Sequence, residues 1–193
     1  MKPIHRHFDF LAPIYDRLIP ASDPEMFAKF LHLPVNGFFL DAGGGTGRVS
    51  FPLSSLVDHL VITDLSAPML KRAKTKGNSI PIRCEAETLP FRNGFFDRIL
   101  VTDALHHFYN QHQAIRELIR ILKPGGWMVI EEPDVGRPLV RLLAIIEKIA
   151  LMGSRFYSAE AIQKMAQGPG VTSRIIKDGR MFLWIVFHKK ETY

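Results

Sequence analysis

Cysteine is almost absent from this sequence. Cys84 is the single example, so the chain can form neither an internal disulfide nor a cluster of thiolate metal ligands. Long hydrophobic runs are missing as well, because the most apolar helical stretch, residues 139–151, is interrupted by Arg141, Glu147 and Lys148. A stretch with those charges cannot span a bilayer. These two absences argue against a disulfide-rich secreted domain and against an integral membrane protein.

Charge of one sign is never concentrated, although the chain as a whole is basic. The net charge is +6 and the isoelectric point is about 9.6, yet no run of lysine and arginine exceeds two residues. The excess therefore does not define a nucleic-acid-binding stretch. The N-terminal residues include Lys2, Arg6 and Asp9 and lack the apolar segment of a secretory leader. We expect a cytoplasmic protein with no nucleic-acid partner, no membrane segment and, since the histidines are dispersed, no metal site.

The stretch from 38 to 49, FFLDAGGGTGRV, is the centre of what the sequence does contain. It predicts a short buried strand ending in Asp41, a glycine-rich turn, and a helix over 46–56 that starts at the turn. Glycine at 43, 45 and 47 permits positive φ and lets a ligand lie against the backbone. The free N–H groups of the helix start would face that ligand. Nucleotide-binding α/β proteins of several kinds share this pattern, and three consecutive glycines can also form a plain loop.

Apolar stretches alternate with helical ones along the chain. We predict strands at 38–41, 60–63, 81–84, 96–102, 127–131, 171–177 and 181–188. Helical spacing and cap residues predict helices at 5–20, 24–31, 46–56, 68–76, 111–122, 139–151 and from 159 onward. Strands that are apolar along most of their length belong in a parallel sheet that is covered on both faces. The last two strands are joined by a tight turn, so they must be antiparallel to each other.

This pattern predicts an α/β fold. We expect a Rossmann-like, doubly wound sheet of seven strands, mostly parallel, with one antiparallel strand from the C-terminal hairpin. The length of 193 residues and the hydrophobic fraction of 47% suit a single domain with a large core. Within 1–193 we expect N-terminal cap helices over 1–34, a cofactor-binding core over 35–132, a short helical lid over 133–170 and the hairpin over 171–193.

Asp64 follows the second predicted strand, 23 residues after Asp41. An acidic residue at this position can accept hydrogen bonds from both hydroxyl groups of a ribose. The alternative is a carboxylate that caps the next helix or faces solvent. The glycine-rich turn upstream favours the ribose role.

Six motifs occur here in the order seen in class I S-adenosylmethionine-dependent methyltransferases. They are DAGGGTG at 41–47, Asp64, EAE at 85–87 followed by LPF at 89–91, FD at 96–97, ALHHF at 104–108, and LKPGG at 122–126. The chain most resembles the small-molecule branch that includes the ubiquinone/menaquinone biosynthesis methyltransferases, the methyltransferase type 11-like enzymes. The opening, with Phe8-Asp9 and Tyr15-Asp16, is also similar to the opening of those enzymes. The resemblance covers nearly the whole chain.

The resemblance implies S-adenosyl-L-methionine as the cofactor and S-adenosyl-L-homocysteine as the product. Gly43, Gly45 and Gly47 would pass close to the methionine and ribose parts of the cofactor. Asp41 would anchor the methionine amino group, directly or through water. Asp64 would hold the ribose diol.

The resemblance also implies contacts at the two far ends of the cofactor. Leu65 would pack on the adenine, and the backbone N–H of Ala86 would face the adenine ring. Glu85 would accept from the adenine amino group, at a position where the family usually has the shorter aspartate. The backbone around Thr102 and Asp103 would meet the methionine end.

Residues beyond the fourth strand and near the N-terminus are candidates for the acceptor site. His107 is a candidate base, with capping or packing on the next helix as the alternative. Tyr15 is a second candidate catalytic residue, although a role as a pocket wall is favoured for it. Tyr109 and Arg137 are further polar points near the same edge. For His106 we favour a structural role, in which it caps or packs on the next helix.

The sequence favours transfer of a methyl group from S-adenosylmethionine to a small, partly apolar acceptor. A non-catalytic module that binds the cofactor is the first alternative, because the segment at 133–157 that would shape an acceptor pocket is short. An NAD-dependent oxidoreductase would suit the glycine turn and Asp64 but not the 85–91 element or the terminal hairpin. An RNA methyltransferase would need an additional basic or aromatic surface, and no Asn-Pro-Pro-aromatic run follows the fourth strand.

Overall fold

The computed structural model describes residues 9, 12, 15–18, 23–138, 140, 154–177, 179 and 181–191. The predicted helix over 139–151 lies outside these residues except for position 140. Most of the predicted helix over 5–20 also lies outside them, and its described part is a four-residue helix, α1, at Tyr15–Leu18.

Seven strands form one mixed sheet. They are β1 Val35–Ala42, β2 Val57–Asp64, β3 Ser79–Arg83, β4 Phe96–Thr102, β5 Leu122–Pro133, β6 Val171–Lys177 and β7 Phe182–Lys189. Their order across the sheet is β3-β2-β1-β4-β5-β7-β6. The pairs from β3 to β5 are parallel, whereas β7 is antiparallel to both β5 and β6. The predicted fold class is confirmed, including the reversed strand from the C-terminal hairpin.

Most strands extend beyond their predicted bounds, because backbone pairing continues past the apolar residues that reveal a strand in the sequence. β1 illustrates this: its second half, from Phe39, is buried, but its first half, from Val35, is partly exposed and still pairs with β2. β5 likewise begins at Leu122 instead of residue 127, because Leu122 already pairs with Phe96 of β4; the register then shifts before Trp127 pairs with Arg98.

Four further helices cover the sheet: α2 Pro24–Phe30, α3 Ala67–Lys76, α4 Gln111–Ile121 and α5 Ala159–Met165. Each begins after a side chain that accepts a hydrogen bond from the first turn, which satisfies one of its unpaired N–H groups. The four cap residues are Asp23, Ser66, Asn110 and Ser158. The caps at Ser66 and Ser158 were predicted.

The core has two layers, one on each face of the sheet. One layer packs α4 and α5 on the sheet through residues such as Leu118, Ile162 and Ile130. The other packs α2 and the β1–β2 connection through residues such as Phe27 and Leu53. Both layers are needed because the central strands are apolar on both sides.

The predicted helix over 46–56 is wrong. Residues 46–50 form turns, and Phe51–Leu56 forms a 3₁₀ helix with Pro52 in its first turn. One α-type hydrogen bond, from the Phe51 N–H to the Gly47 carbonyl, is present at 2.9 Å. Pro52 has no N–H and its ring occupies the space of the carbonyl four residues earlier, so an α-helix cannot continue through it. The glycine turn is therefore followed by a compact connection.

Candidate functional site

A cavity of about 740 Å³ opens at the carboxyl edge of the sheet, where β1 lies between β2 and β4. This is the position where open α/β sheets bind ligands. We call it the main cavity. Its described lining consists of Asp9, Tyr15, Gly43, Gly44, Gly45, Arg48, Val49, Thr63, Asp64, Leu65, Met69, Arg83, Cys84, Glu85, Ala86, Glu87, Thr102, Asp103, Ala104, His107, Phe108, Tyr109, Asn110 and Gln113. Of the residues predicted to bind the cofactor, all but Asp41 and Gly47 belong to this lining.

Backbone hydrogen bonds attach the glycine turn to the end of β2. The N–H groups of Gly43 and Gly44 both donate to the Thr63 carbonyl, at 2.8 and 3.1 Å. Gly43 has φ +71°, and a Cβ there would lie 2.8 Å from the Cβ of Ala104. Gly45 has φ +55°, but a Cβ there would meet no atom closer than 3.8 Å. Gly43 is thus required by packing, whereas Gly45 leaves space in the cavity wall for a ligand.

Asp64 is held by two backbone groups. The Gly45 N–H donates to its Oδ2 at 2.9 Å, and the Ser66 N–H donates to its Oδ1 at 2.8 Å. The carboxylate is therefore fixed in orientation at the cavity wall.

Asp41 and Gly47 lie beneath the turn instead of on the cavity wall. Asp41 is 1% exposed, and a Cβ on Gly44 would collide with its carboxyl group. Burial raises the pKa of Asp41 to about 6, and its Oδ1 has no hydrogen-bond partner among the described residues. A Cβ on Gly47 would lie 2.7 Å from Cδ1 of Ile62, so this glycine packs the turn on β2. Asp41 and Gly47 therefore lie behind the cavity wall, and their cofactor contacts stay predictions.

Tyr15, Arg48 and Asp103 line the end of the main cavity near β1 and β4. Burial raises the pKa of Tyr15 to about 12, with the Asp103 carboxylate adding to the rise and the Arg48 guanidinium opposing it. The phenol therefore stays protonated at neutral pH. Asp103 has φ +51°, an uncommon conformation for a residue other than glycine. Its N–H donates to the Glu131 carbonyl at 3.0 Å, which ties this conformation to β5.

The opposite end of the cavity is formed by residues that follow β2 and β3. Leu65, Glu85 and Ala86 lie in its lining, as predicted from the sequence. Arg83 donates from Nε to the Leu65 carbonyl at 2.8 Å, which joins the two loops. Burial raises the pKa of the Cys84 thiol to about 11, so this cysteine stays a neutral part of the wall.

Two aspartates of the N-terminal segment accept hydrogen bonds that hold this segment over the glycine turn. Ser66 Oγ donates to Asp9 at 2.6 Å, and Thr46 Oγ1 donates to Asp16 at 2.5 Å. Lys76 forms an ion pair with Asp16 at 2.6 Å and also donates to Thr46 at 3.2 Å. Burial alone would raise the pKa of Asp16, but the hydrogen bonds from Lys76 and Thr46 outweigh it and hold that pKa below its ordinary value. These contacts bring Tyr15 to the cavity wall.

His106 forms a buried pair with Glu132 behind the cavity. Its Nδ1 lies 2.7 Å from Glu132 Oε2, and the other carboxylate oxygen accepts from the Leu105 N–H at 2.9 Å. The ring also stacks on Phe156 with centroids 4.4 Å apart. The structural role favoured for His106 agrees with this position. Sequence reasoning missed Glu132 as the partner of His106, because the two residues lie 26 positions apart in the chain.

Three of the candidate acceptor residues, Tyr15, His107 and Tyr109, line the main cavity, and Arg137 does not. The Nδ1 of His107 lies 3.2 Å from Ser154 Oγ. Arg137 lies outside the described lining and pairs instead with Asp134 at 4.0 Å, because both residues belong to the turn that follows β5.

Comparison with known proteins identifies the fold's relatives. Residues 40–130, which span the turn, Asp64 and β5 up to Ile130, match the family model of a methyltransferase domain. Over these residues the chain carries a methyltransferase domain. A solved S-adenosylmethionine-dependent methyltransferase from Thermotoga maritima, a possible histamine N-methyltransferase, has the same fold. It matches with a TM-score of 0.80 and 23% identity, over 96% of this chain and 100% of that one.

Two curated relatives of the methyltransferase domain differ in what they methylate. The chain is 33% identical over 132 residues to the tRNA (carboxymethyluridine(34)-5-O)-methyltransferase of Arabidopsis thaliana, which is 67% of this chain and 32% of that protein. It is 41% identical over 103 residues to the ubiquinone/menaquinone biosynthesis C-methyltransferase UbiE of Coxiella burnetii, which is 48% of this chain and 41% of that protein. The chain thus matches less than half the length of either relative.

The class implies S-adenosylmethionine, and the main cavity suits this molecule. The cofactor carries a sulfonium and an ammonium group against one carboxylate, so it is a net cation. The described lining includes five carboxylates and two guanidinium groups: Asp9, Asp64, Glu85, Glu87 and Asp103 against Arg48 and Arg83. The space at Gly45 and the orientation of the Asp64 carboxylate at the cavity wall fit the close approach of a ribose. No helix within the described residues is both long and apolar enough to cross a membrane.

A second cavity of the methyltransferase domain, of about 280 Å³, adjoins the first. We call it the annex. Its described lining is Tyr109, Asn110, Gln111, His112, Arg155 and Tyr157. Tyr109 and Asn110 line both cavities, so the annex begins where the wall of the main cavity ends.

Proposed function

We propose that this domain transfers the methyl group of S-adenosylmethionine to a small, partly apolar acceptor. The observation that carries the proposal is the meeting, in one cavity, of the glycine turn, the oriented Asp64 carboxylate and the 85–86 loop. An NAD-dependent oxidoreductase would share the first two features but not the third.

The adenosine part of the cofactor would be held by residues after β2 and β3. Asp64, oriented by the Gly45 and Ser66 N–H groups, would accept hydrogen bonds from the ribose diol. Leu65 would pack on the adenine, the Ala86 N–H would face the ring, and Glu85 would accept from the adenine amino group. Glu85 is exposed at the rim, where its longer side chain has room to reach.

The methionine part would lie between Tyr15, Arg48 and the backbone at Thr102 and Asp103. Arg48 suits the carboxylate, because the other guanidinium in the lining, Arg83, is bound to the opposite end of the cavity. The ammonium group would contact Asp103 directly and the buried Asp41 through water. Charge-assisted hydrogen bonds of this kind contribute roughly 1.5–3 kcal/mol each.

When bound, S-adenosylmethionine supplies a methyl group already activated by the sulfonium. The residues of the domain therefore need to align the acceptor and keep water out, and alignment alone can lower a barrier by roughly 7–11 kcal/mol. A base is needed only where the acceptor must lose a proton, and His107 is the candidate in the lining. Tyr15, with its raised pKa, would donate a hydrogen bond and would not act as a base.

A nucleic-acid acceptor is the second candidate, and it replaces the expectation that nucleic acid has no part. The Arabidopsis relative acts on tRNA and matches two thirds of this chain. The net charge of +6 is compatible with phosphate contacts. The UbiE relative and the partly apolar lining favour the small acceptor. A cytoplasmic location and a single domain over 1–193 stay predictions.

Methyl transfer from radiolabelled S-adenosylmethionine distinguishes these candidates. The domain is incubated with a small-molecule extract and, separately, with total tRNA from the source cells. We expect label in a small, chloroform- or water-soluble product and none in tRNA. Label in tRNA that disappears at raised salt would establish the second candidate. S-adenosylhomocysteine binding with no transfer in either fraction would favour a non-catalytic module.

A further inference from the structure

The annex differs in chemistry from the cavity it adjoins. The main cavity has five carboxylates in its described lining, whereas the described lining of the annex has none. The annex has instead one guanidinium, one imidazole and two phenol rings, from Arg155, His112, Tyr109 and Tyr157. A cation would be favoured in the first space and an anion in the second.

The aromatic residues of the annex are unusually exposed. Tyr109 is 59% and Tyr157 is 36% exposed, and they are two of the four large hydrophobic side chains that are exposed within the described residues. Tyr157 also meets the His112 ring edge to face, with centroids 6.3 Å apart. Exposed rings gathered around one hollow offer flat surfaces on which another ring can stack.

The cation of the annex is held on a fixed backbone. The Arg155 N–H donates to the His106 carbonyl at 2.8 Å, and Gln111 Nε2 donates to the Arg155 carbonyl at 2.7 Å. Within the described residues, no carboxylate lies close enough to the Arg155 guanidinium to form an ion pair with it. A planar guanidinium in this situation suits a carboxylate or phosphate, which it can bind through two parallel hydrogen bonds.

We propose that the annex binds an anionic group attached to a flat ring, and that the methyl acceptor is therefore an acidic aromatic or nucleotide-like compound. The inference rests on the proposed function and names its substrate class. The volume of about 280 Å³ is below the range of roughly 300–1,000 Å³ typical of whole-ligand pockets, so the annex holds one part of a molecule whose remainder enters the main cavity. Tyr109, which lines both spaces, would contact the acceptor at the junction.

Two matched pairs of probes test the annex and distinguish a phosphate from a carboxylate source. The first pair is uridine 5′-monophosphate and uridine, and the second is 4-hydroxybenzoate and 4-hydroxybenzamide. Each is titrated by NMR into the domain saturated with S-adenosylhomocysteine. We expect the anionic member of at least one pair to bind about ten-fold or more tightly than its neutral partner, as a charge-assisted contact provides.

Arg155→Gln should abolish the preference for the anionic probe while leaving the affinity for the neutral probes unchanged. Tyr157→Leu should weaken both members of the pair by several-fold, because it removes the stacking surface. Arg116→Gln is the matched control, since Arg116 lies on the exposed side of α4 and contacts Gln113 outside the annex. The side chains of Arg155 and Tyr157 are exposed, so unchanged S-adenosylhomocysteine affinity is expected to confirm that the variants fold.

Three results would overturn the proposal: no binding of any probe at 10 mM (roughly 3 kcal/mol of free energy), equal binding within both pairs, or a preference that survives Arg155→Gln. The proposed function fails differently, through loss of S-adenosylhomocysteine binding by the unmodified domain. Intact S-adenosylhomocysteine binding without an Arg155-dependent preference overturns the annex alone.

Discussion

The two ends of the main cavity are built in different ways. At the end that would hold the ribose, Asp64 is fixed by N–H groups of Gly45 and Ser66, which belong to one turn and one helix start. At the end that would hold the methionine, Tyr15, Arg48 and Asp103 come from three distant parts of the chain. The first end is organised by local backbone geometry, whereas the second exists only after the N-terminal segment has packed over the turn.

A truncated ligand separates the two ends experimentally. 5′-Methylthioadenosine keeps the adenosine part of S-adenosylhomocysteine and lacks its amino-acid part. A substitution at the ribose end should weaken the binding of both ligands equally. A substitution at the methionine end should weaken the binding of S-adenosylhomocysteine only. The four predictions below use this comparison, in order of their expected effect on binding.

Gly45→Val should abolish measurable binding of both ligands. Valine is strained at φ +55°, and its side chain would project from the wall into the space beside Asp64. Isothermal titration calorimetry measures the loss. Gly94→Val is the matched control, because Gly94 has φ +59° and similar open space but lies outside the described cavity linings. If Gly94→Val abolished binding as well, general destabilisation would account for the result.

Asp64→Asn should weaken both ligands about ten-fold or more, and by the same factor. The amide keeps one acceptor oxygen but loses the charge and turns an N–H group toward the Gly45 or Ser66 N–H. Asp58→Asn, at an exposed position of β2, should leave both affinities unchanged. Normal affinity for either ligand in Asp64→Asn would remove this carboxylate from the ribose site.

Arg48→Ala should weaken S-adenosylhomocysteine about ten-fold and leave 5′-methylthioadenosine nearly unchanged, because only the former has a carboxylate. Arg83→Ala should reduce both affinities by a similar, smaller factor, since Arg83 supports the Leu65 loop at the other end. Equal losses for the two ligands in Arg48→Ala would show that Arg48 supports the cavity without contacting the carboxylate.

Asp41→Asn should change ligand affinity by only a few-fold but should alter the pH dependence of stability. Burial raises the pKa of Asp41 from 3.8 to about 6, so the folded state holds this proton more tightly than the unfolded state. The group's contribution to stability is therefore fully present below pH 3.8 and is lost as the pH rises through about 6.

The asparagine variant should not lose stability in this way, because asparagine does not titrate. Its stability relative to the unmodified domain should rise by about 2 kcal/mol between pH 4.5 and 7.5, as a displacement of this size requires. Urea denaturation at the two pH values measures the difference, and Asp58→Asn is again the exposed control. A difference independent of pH would mean that Asp41 titrates normally.

Local signals explain what could be predicted from the sequence. The strands were visible from their apolar residues, and Ser66 was visible as a helix cap because capping depends on neighbours three residues away. Gly43, Gly45 and Asp64 were visible for a similar reason, since the glycine pattern and an acidic residue at a strand end can each be recognised within a short stretch of sequence. Most residues at the ribose end could therefore be predicted from the sequence.

Tertiary contacts explain what could not be predicted. The predicted helix over 46–56 was wrong because an α-helix does not continue through Pro52, and the chain forms a 3₁₀ helix over Phe51–Leu56 instead. Gly47 lies against Ile62 on β2, and only the paired strands reveal that it packs inward. The Glu132 partner of His106 and the Asp16 partner of Thr46 lie 26 and 30 residues away in sequence, so no local pattern signals them.

The placement of β7 has a consequence for the order in which the protein can be made. β7 is the last strand of the described chain, yet it lies between β5 and β6 and pairs with both. While the ribosome is still producing residues 134–181, the edge of β5 has no partner, and an open edge of this kind is a template for aggregation. Because synthesis delivers the N-terminal part first, the sheet closes only once residues 182–189 have emerged. A nascent chain stalled before residue 182 therefore exposes the β5 edge to other chains in the cell.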